Sequence, residues 1–257
     1  MQYMHDTWIM TKRSFHHITR SLDTIITVVL MPIAMMLLFV YVFGGAFGPH
    51  TGAKYINFIT PGILVMTVAS GIAYAAVRLS MDMQSGIINR FRTMPVAPSS
   101  ILGGQAMSST LSNLFSCLLV LLVALAAGFR SHASLGAWLL FAGLLSLLTL
   151  ALTWMALFFG LLAKTMEGAG AFSYILLLLI FISPTFVPTS SMTHSLRTFA
   201  ENQPMTPIVE TLRSLVGNGT AGPKAWTAFV WTVSILVVMY VSSIAVYRRK
   251  TIVATAA

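Results

Sequence analysis

Charged side chains are scarce in this chain of 257 residues. Only 8% of its residues are Asp, Glu, Lys or Arg, whereas 57% are apolar, and the mean hydropathy is +0.85. Acidic residues are the scarcest, because six carboxylates stand against 15 Lys and Arg residues and give a formal net charge of +9. This composition excludes a soluble domain and is typical of an integral membrane protein. The basic residues separate apolar runs and form no continuous patch, so nucleic acid is not an expected partner.

Metal-binding and disulfide-forming residues are nearly absent as well. Cys117 is the only cysteine and lies in an apolar stretch, which excludes a disulfide framework and a thiolate metal site. His16 and His17 are neighbours, and on a helix they would point about 100 degrees apart. No third ligand is near them, so we interpret them as interfacial histidines. We therefore expect Cys117 to be a core residue and the chain to bind no metal.

The motifs that would support catalysis are missing. A phosphate-binding P-loop needs Gly-Lys followed by Ser or Thr, and no lysine in this chain follows a glycine. Residues 101–105 resemble the end of the LSGGQ signature, but without a P-loop we regard this as chance. No ionisable residue lies centrally in an apolar segment, which disfavours an ion-coupled carrier, and HExxH is absent. The chain is therefore predicted to be no enzyme.

Six apolar segments are each about 20 residues long or longer, the length that crosses a bilayer core. Their predicted positions are residues 24–43, 55–77, 101–129, 135–163, 168–187 and 225–247. If the amino terminus is cytoplasmic, only five of the 15 basic residues lie outside, namely Lys54, Arg130, Arg197, Arg213 and Lys224. The positive-inside rule favours this orientation. We predict an all-α, multi-pass protein of the plasma (inner) membrane with six transmembrane helices and both termini cytoplasmic.

The amino-terminal residues 4–22 have the period of an amphipathic helix. Trp8 and Phe15 lie on its apolar side, and Arg13 and Arg20 lie on the opposite side. Such a helix lies in the membrane interface with its basic side toward anionic headgroups. The charges extend to Arg20 and no small-residue cleavage site follows the next apolar run, so the segment is not a cleavable signal peptide.

A polar, Arg-bearing tract, residues 81–100, interrupts the apolar sequence. Ile87 and Phe91 fall on one side of a helical wheel and Arg92 on the other, and Pro95 then ends the pattern. Because so short an apolar stripe cannot form a core, its exposed side must face lipid headgroups or another protein. The alternative is an ordinary basic loop on the inner side.

The segment between the fifth and sixth apolar runs contains a second helical pattern. Ile208, Leu212 and Leu215 repeat at i, i+4 and i+7, and Asn218-Gly219 is a typical helix stop. We predict short helices that dip into the outer leaflet. The alternative, a solvated surface helix, would leave these apolar side chains in water.

These features resemble the ABC-2 type exporter permeases, and within them the daunorubicin-resistance (DrrB-like) type. The resemblance runs nearly from end to end and depends on residues 31–32 with 40–45, on residues 82–95 and on residues 202–213. It implies the ABC-2 (type V exporter) fold in a single transmembrane domain over residues 1–257. In that fold the external segment, residues 188–224, precedes the last span.

The resemblance also implies roles for particular residues. The coupling helix, near residues 81–95, docks into a groove of the ATP-binding subunit through Asp82, Gly86, Ile87, Arg90, Phe91, Arg92 and Pro95. The interfacial helix beside it carries Trp8, Arg13, Phe15 and Arg20. The second and fifth spans line the substrate pathway, with candidate contacts Met66, Thr67, Ser70, Tyr74, Phe172, Ser173, Tyr174, Phe181 and Ser183. Met and aromatic side chains suit loosely specified apolar ligands, although each residue has helix packing as its alternative role.

Few polar side chains occur on the second and fifth spans. An unpaired hydroxyl that faces lipid is unfavourable. We therefore expect Ser70, Tyr74 and Ser173 to face the axis between two copies of the chain.

The function implied is the permease subunit of an ATP-driven exporter of hydrophobic or amphipathic, drug- or antibiotic-like compounds. Two copies of a separate ABC ATP-binding subunit would bind ATP and Mg, so this chain needs no cofactor of its own. A second copy of the chain or a homologous permease would complete the pathway within the membrane lipids. Two alternatives stay open: an exporter of a lipid or polysaccharide precursor, and a membrane assembly protein that needs no ATPase.

Overall fold

The structure is a computed structural model that describes residues 29–43, 52–84, 98–186 and 192–253. These residues form helices joined by short turns, and no strand occurs among them. The helices are α1 (Met31–Leu37), α2 (Gly52–Gln84), α3 (Pro98–Ala126), α4 (Leu135–Leu162), α5 (Met166–Ile182), α6 (His194–Asn202), α7 (Met205–Asn218) and α8 (Ala225–Val253). A π-helical segment, Leu38–Phe43, continues α1. The all-α fold class is thereby confirmed.

Each of the six predicted apolar segments contributes one helix. Within the described part of the chain, four helices are long and apolar enough to cross a membrane, over Tyr55–Met83, Leu102–Ala126, Leu135–Leu162 and Ala225–Arg249. They correspond to the second, third, fourth and sixth segments. The first and fifth segments contain shorter apolar helices, Met31–Val42 and Met166–Ile182. Residues 24–28, at the start of the first segment, lie outside the described residues.

The fifth segment ends earlier than its composition predicted. Its helix, α5, stops at Ile182, because Ser183 is extended (φ −71°, ψ 164°) and precedes Pro184. A residue before proline is disfavoured in the helical region. The 17 residues of α5 rise about 25 Å, somewhat less than a hydrocarbon core. Residues 183–186 therefore form a turn, and the predicted helix end at residue 187 is corrected to Ile182.

The second segment, in contrast, continues further than predicted. Its helix, α2, has 33 residues and runs into the polar tract as far as Gln84. No Gly or Pro occurs between residues 72 and 84, so nothing in the sequence interrupts the helix there. Residues 81–84 are thus the end of α2, which corrects the prediction that a separate helix begins near residue 81. Residues 85–97 lie outside the described residues.

Helix α2 is the central element of the bundle. It packs against α1, α3, α4, α5 and α7. In the most apolar stretch of α2, 78% of the residues are buried inside the chain. In the most apolar stretch of α8, only 11% are buried. Ile59, Ile63 and Ile72 are fully buried along its length. The other helices are therefore arranged around α2, and α8 packs mainly on α4 at the periphery.

Helix α3 has a polar face that the sequence analysis did not identify. Most of its buried polar side chains recur over about three turns on one side: Gln105, Ser108, Ser109, Asn113 and Ser116. Its exposed side carries large apolar residues: Met107, Leu111, Phe115, Leu118 and Leu122. In a bilayer this orientation keeps the polar groups inside the protein and the apolar groups in lipid.

The helix ends define two opposite sides of the bundle. Leu79, Leu161 and Tyr247, near the carboxyl ends of α2, α4 and α8, pack in one cluster. At the other end, the main-chain N–H of Arg130 donates to Asn57 Oδ1, near the start of α2 (3.0 Å). Basic residues adjoin the first cluster, on the side opposite Arg130: Arg78, Lys164 and Arg248.

Two helices, α6 and α7, fill the segment before α8. On α7, Ile208, Leu212 and Leu215 are buried against the bundle, which excludes a solvated surface helix. As predicted, α7 ends at Asn218, and Gly219 follows at a φ of 69° that favours glycine. Helix α6 is largely exposed. It is the short exposed piece of the external segment, whereas α7 belongs to the core.

Candidate functional site

The predicted pathway residues differ in exposure. Five are buried inside the chain: Met66, Thr67, Phe172, Ser173 and Ser183. Ser70 and Tyr74 are half-buried. Tyr174 and Phe181 are exposed, at 73% and 42% of their surfaces. Because a substrate or a second copy contacts exposed atoms, Tyr174 and Phe181 are the pathway candidates that this arrangement makes most accessible.

The buried hydroxyls on these helices have acceptors in their own helix. Ser173 Oγ donates to the Gly170 carbonyl (2.7 Å), and Thr67 Oγ1 donates to the Ile63 carbonyl (2.8 Å). Such bonds are the usual way in which a helix satisfies Ser and Thr. Ser173 was expected to face the axis between two copies. Instead it is buried inside the chain, where its hydroxyl already has a hydrogen-bond acceptor.

Helix α5 presents a continuous apolar stripe on its exposed side. We call Tyr174, Ile175, Leu178 and Phe181 the α5 stripe; all four are more than 40% exposed and follow one side of the helix. The opposite side packs on α2. The sequence analysis named Tyr174 and Phe181 but missed Ile175 and Leu178. Since α5 is apolar on every side, no periodicity marked the exposed face.

The coupling tract is described only at its beginning. Asp82 is half-buried on the last turn of α2, four residues after Arg78, so the two side chains lie on the same side of the helix. The other predicted coupling residues lie outside the described residues: Gly86, Ile87, Arg90, Phe91, Arg92 and Pro95. The same holds for the interfacial-helix residues: Trp8, Arg13, Phe15 and Arg20. Their roles stay predictions.

At the opposite end of the bundle, Arg213 of α7 connects α2 with the end of α5. Its Nε donates to the Phe58 carbonyl (2.9 Å), and one Nη donates to the carbonyls of Pro184 (2.6 Å) and Thr185 (3.3 Å). The guanidinium also lies 3.6 Å from the centre of the Phe58 ring, a cation–π contact. One side chain thereby joins three segments that are distant in sequence.

Two of the three acceptors of Arg213 lie beyond the end of a helix. Pro184 and Thr185 follow the end of α5, so their carbonyls lie outside its hydrogen-bond ladder. Phe58 lies inside α2, where the Gly62 N–H is its helical donor, so Arg213 adds a second donor to this carbonyl. Because main-chain carbonyls need donors when they are buried, Arg213 supplies donors to the turn that follows α5.

Two further side chains hold the same turn. Gln203 Nε2 donates to the Leu179 carbonyl in the last turns of α5 (2.8 Å), and the Tyr55 hydroxyl donates to the Phe186 carbonyl (3.4 Å). We call Tyr55, Gln203 and Arg213 the α5 clasp. It attaches the end of α5 to α2 on one side and to the external segment on the other.

The clasp borders a cavity that contains further charges. A cavity of about 200 Å³ is lined by Glu210, Arg213, Ser214 and Lys224, among others. Glu210 pairs with Lys224 at 2.8 Å. Burial lowers the pKa of the Arg213 guanidinium to about 10, and the negative charge of Glu210 acts in the opposite direction. Arg213 therefore remains a cation at neutral pH.

Sequence reasoning missed the contacts of Arg213. It placed Arg213 in a family tract, residues 202–213, and identified none of its main-chain acceptors. The acceptors are main-chain carbonyls, which every residue carries and no motif marks. The available signal was a cation on a helix whose other side is apolar.

Comparisons with known proteins agree with this architecture. The ABC-2 type transporter family matches residues 5–216. Daunorubicin resistance ABC transporter permease protein DrrB1 from Streptomyces coeruleorubidus is 29% identical over 231 residues, which cover 88% of this chain and 77% of that protein. A Mycobacterium tuberculosis protein named "Probable doxorubicin resistance ABC transporter permease protein DrrC" is 23% identical over 247 residues, 96% of this chain and 90% of that protein.

These matches confirm the resemblance to exporter permeases, and the family match runs from α1 into α7 and includes the clasp. Relatives of this kind are the permease subunits of ABC transporters. The apolar helices agree with a multi-pass membrane protein. The chain therefore belongs to the ABC-2 type transporter family, as a membrane-spanning permease.

Proposed function

We propose that this chain is the membrane subunit of an ATP-driven exporter that moves hydrophobic or amphipathic, drug-like compounds out of the cell. The observation that carries this proposal is the similarity, over 88% of the chain, to a permease named for daunorubicin resistance. Two copies of a separate ABC ATP-binding subunit bind ATP and Mg. This chain itself is then a non-catalytic transport subunit.

Helix α2 is the element that transmits motion across the membrane. Its last turn carries Asp82, the first residue of the proposed coupling tract, and near its other end the Phe58 carbonyl accepts a hydrogen bond from Arg213. A helix of 33 residues spans about 50 Å, which exceeds the hydrocarbon core. Movement of the ATP-binding subunits, received through Arg90, Phe91 and Arg92, reaches the α5 clasp through this one helix.

The substrate pathway runs between two copies of the chain, or between this chain and a homologous permease. The α5 stripe supports this proposal, since it offers Tyr174, Ile175, Leu178 and Phe181 on the outside of one copy. Aromatic and aliphatic side chains suit a ligand that is apolar and loosely specified. Ser70 and Tyr74 of α2 are half-buried pathway candidates as well. The buried candidates lie behind this exposed surface, in the interior of the chain.

The distribution of basic residues over the two ends of the bundle supports an orientation. If the six segments alternate across the membrane, ten of the 15 Lys and Arg residues belong to the end that carries Arg78, Lys164 and Arg248, and five belong to the end that carries Arg130. The positive-inside rule places the first side in the cytoplasm, with both termini of the chain. In this orientation the α5 clasp lies at the outer leaflet of the plasma membrane. The chain then forms one domain over residues 1–257, with an interfacial helix at residues 4–22.

The decisive experiment is reconstitution. The chain is co-purified with the ABC ATP-binding subunit that associates with it and inserted into inverted vesicles, and ATP-dependent accumulation of daunorubicin is measured by fluorescence quenching. A variant ATP-binding subunit without its P-loop lysine is the control. Accumulation that needs ATP and the lysine supports the proposal. ATP-dependent movement of labelled lipid without daunorubicin transport favours a lipid exporter, and a chain that associates with no ATP-binding subunit is an assembly protein.

A further inference from the structure

We propose that Arg213 is a positioning residue with two alternative positions, and that Glu210 is the acceptor in the second one. In the first position, seen here, Arg213 holds the end of α5 against α2. In the second, its guanidinium leaves the carbonyls, enters the neighbouring cavity and pairs with Glu210, which releases the end of α5. This inference rests on the proposed function, because release of α5 matters where α5 borders a transport pathway.

The first position is suited to exchange because its partners are neutral. Arg213 donates to carbonyls of Phe58, Pro184 and Thr185 and to no carboxylate among the described residues. Hydrogen bonds between a guanidinium and a carboxylate are stronger than those to neutral acceptors. A carboxylate within reach can therefore compete for Arg213 when the carbonyls move apart.

The second position is already built into α7. Glu210 precedes Arg213 by three residues, a spacing that brings two side chains together on a helix. Both line the cavity of about 200 Å³, which leaves room for a guanidinium next to the carboxylate. The negative charge of Glu210 already favours the charged form of Arg213.

Lys224 decides between the two positions. Its Nζ lies 2.8 Å from Glu210 Oε2, so the carboxylate is occupied in this structure. While Lys224 holds Glu210, Arg213 remains on the carbonyls. When the start of α8 moves and withdraws Lys224, Glu210 becomes available and Arg213 exchanges partners.

Because Glu210 and Lys224 form one ion pair, a purely structural role predicts that removing either partner has the same effect. Exchange predicts opposite effects. Glu210→Gln removes the acceptor and keeps Arg213 on the carbonyls, whereas Lys224→Gln frees Glu210 and favours release. Arg213→Lys loses the planar fork that reaches several carbonyls and also favours release.

The readout is a thiol placed in the turn that Arg213 holds. Ser183→Cys, in a Cys117→Ala background, is isosteric and fully buried in this structure, so a membrane-impermeant thiol reagent should label it slowly. We expect Lys224→Gln and Arg213→Lys to raise the resting labelling rate about tenfold, within the usual range of coupling factors. Glu210→Gln should leave the resting rate low and abolish both its increase on ATP addition and ATP-dependent transport.

The outcomes are separable. Equal changes in Glu210→Gln and Lys224→Gln, or an unchanged resting rate in Arg213→Lys, overturn the exchange. The resting measurements use the full chain in membranes and need no ATP-binding subunit. If the unsubstituted chain shows no ATP-dependent transport, the proposed function is wrong. The resting labelling rates still test whether Arg213 exchanges between the carbonyls and Glu210.

Discussion

Gly160 of α4 lies so close to Ala76 of α2 that a Cβ added to Gly160 would stand 2.7 Å from the Ala76 carbonyl oxygen. The obstructing atom belongs to a helix main chain, so no side-chain rotation can relieve the contact. Small residues at helix interfaces permit this kind of approach in membranes. The contact holds α4 against the central helix, in the half of the bundle that adjoins the coupling tract.

Gly160→Ala should therefore destabilise the protein, by about 1–3 kcal/mol, as overpacking of a tight core does. Unfolding of the detergent-purified chain, followed by circular dichroism, measures this change. Gly143→Ala on the same helix is the matched control, because nothing lies within 4 Å of an added Cβ there. That control should be neutral or more stable by up to about 1 kcal/mol. Equal behaviour of the two variants would contradict the close approach of α4 and α2.

The contact of α2 with α3 can be tested by a double substitution. An added Cβ at Gly71 would overlap the side chain of Asn113, which is buried on the polar face of α3. Gly71→Ala alone should lower stability, whereas Gly71→Ala with Asn113→Ala should recover part of the loss. The coupling between the two sites should be about 0.5–3 kcal/mol, as for residues in contact. Strict additivity of the two changes would show that the residues do not touch.

The pathway proposal predicts different behaviour for two adjacent residues of α5. Tyr174 is 73% exposed and Ser173 is 5% exposed. In a Cys117→Ala background, Tyr174→Cys should form a disulfide with the same position of a second copy. Daunorubicin should protect this cysteine from forming the cross-link. Ser173→Cys should not form the cross-link, since it faces the interior of its own chain. Gel mobility under non-reducing conditions reports the cross-link. A cross-link at Ser173→Cys but not at Tyr174→Cys would show that Ser173, and not Tyr174, lies on the exposed side of α5.

The coupling tract predicts that Phe91→Ala separates ATP hydrolysis from transport. Phe91 belongs to the apolar side of the proposed coupling helix, and its removal should weaken docking of the ATP-binding subunit without affecting membrane insertion. We expect loss of drug-stimulated ATPase activity in vesicles at an unchanged amount of inserted chain. Phe115→Ala, on the exposed apolar side of α3, is the control and should retain coupling. Normal daunorubicin efflux by Phe91→Ala would exclude this role.

Much of the architecture was predictable because local chemistry determines it. Six apolar segments required six helices, since every buried main-chain group in a membrane must be paired within its own segment. Several helix ends are likewise determined by residues next to them in the sequence. Ser134 Oγ accepts from the Ala137 N–H at the start of α4 (3.3 Å), Thr165 caps α5, and Gly219 ends α7. The family tracts then indicated a permease.

The tertiary structure decided which faces are buried and what the turns contact. α5 is apolar on every side, so only its neighbours determine that Ser173 is buried and Tyr174 exposed. Nothing in the local sequence distinguishes α2 as the central helix. Arg213 is the clearest case, because its acceptor at Phe58 is a main-chain carbonyl 155 residues away. Such acceptors leave no trace in side-chain patterns, whereas helix formation in lipid depends on composition and length, which the sequence states directly.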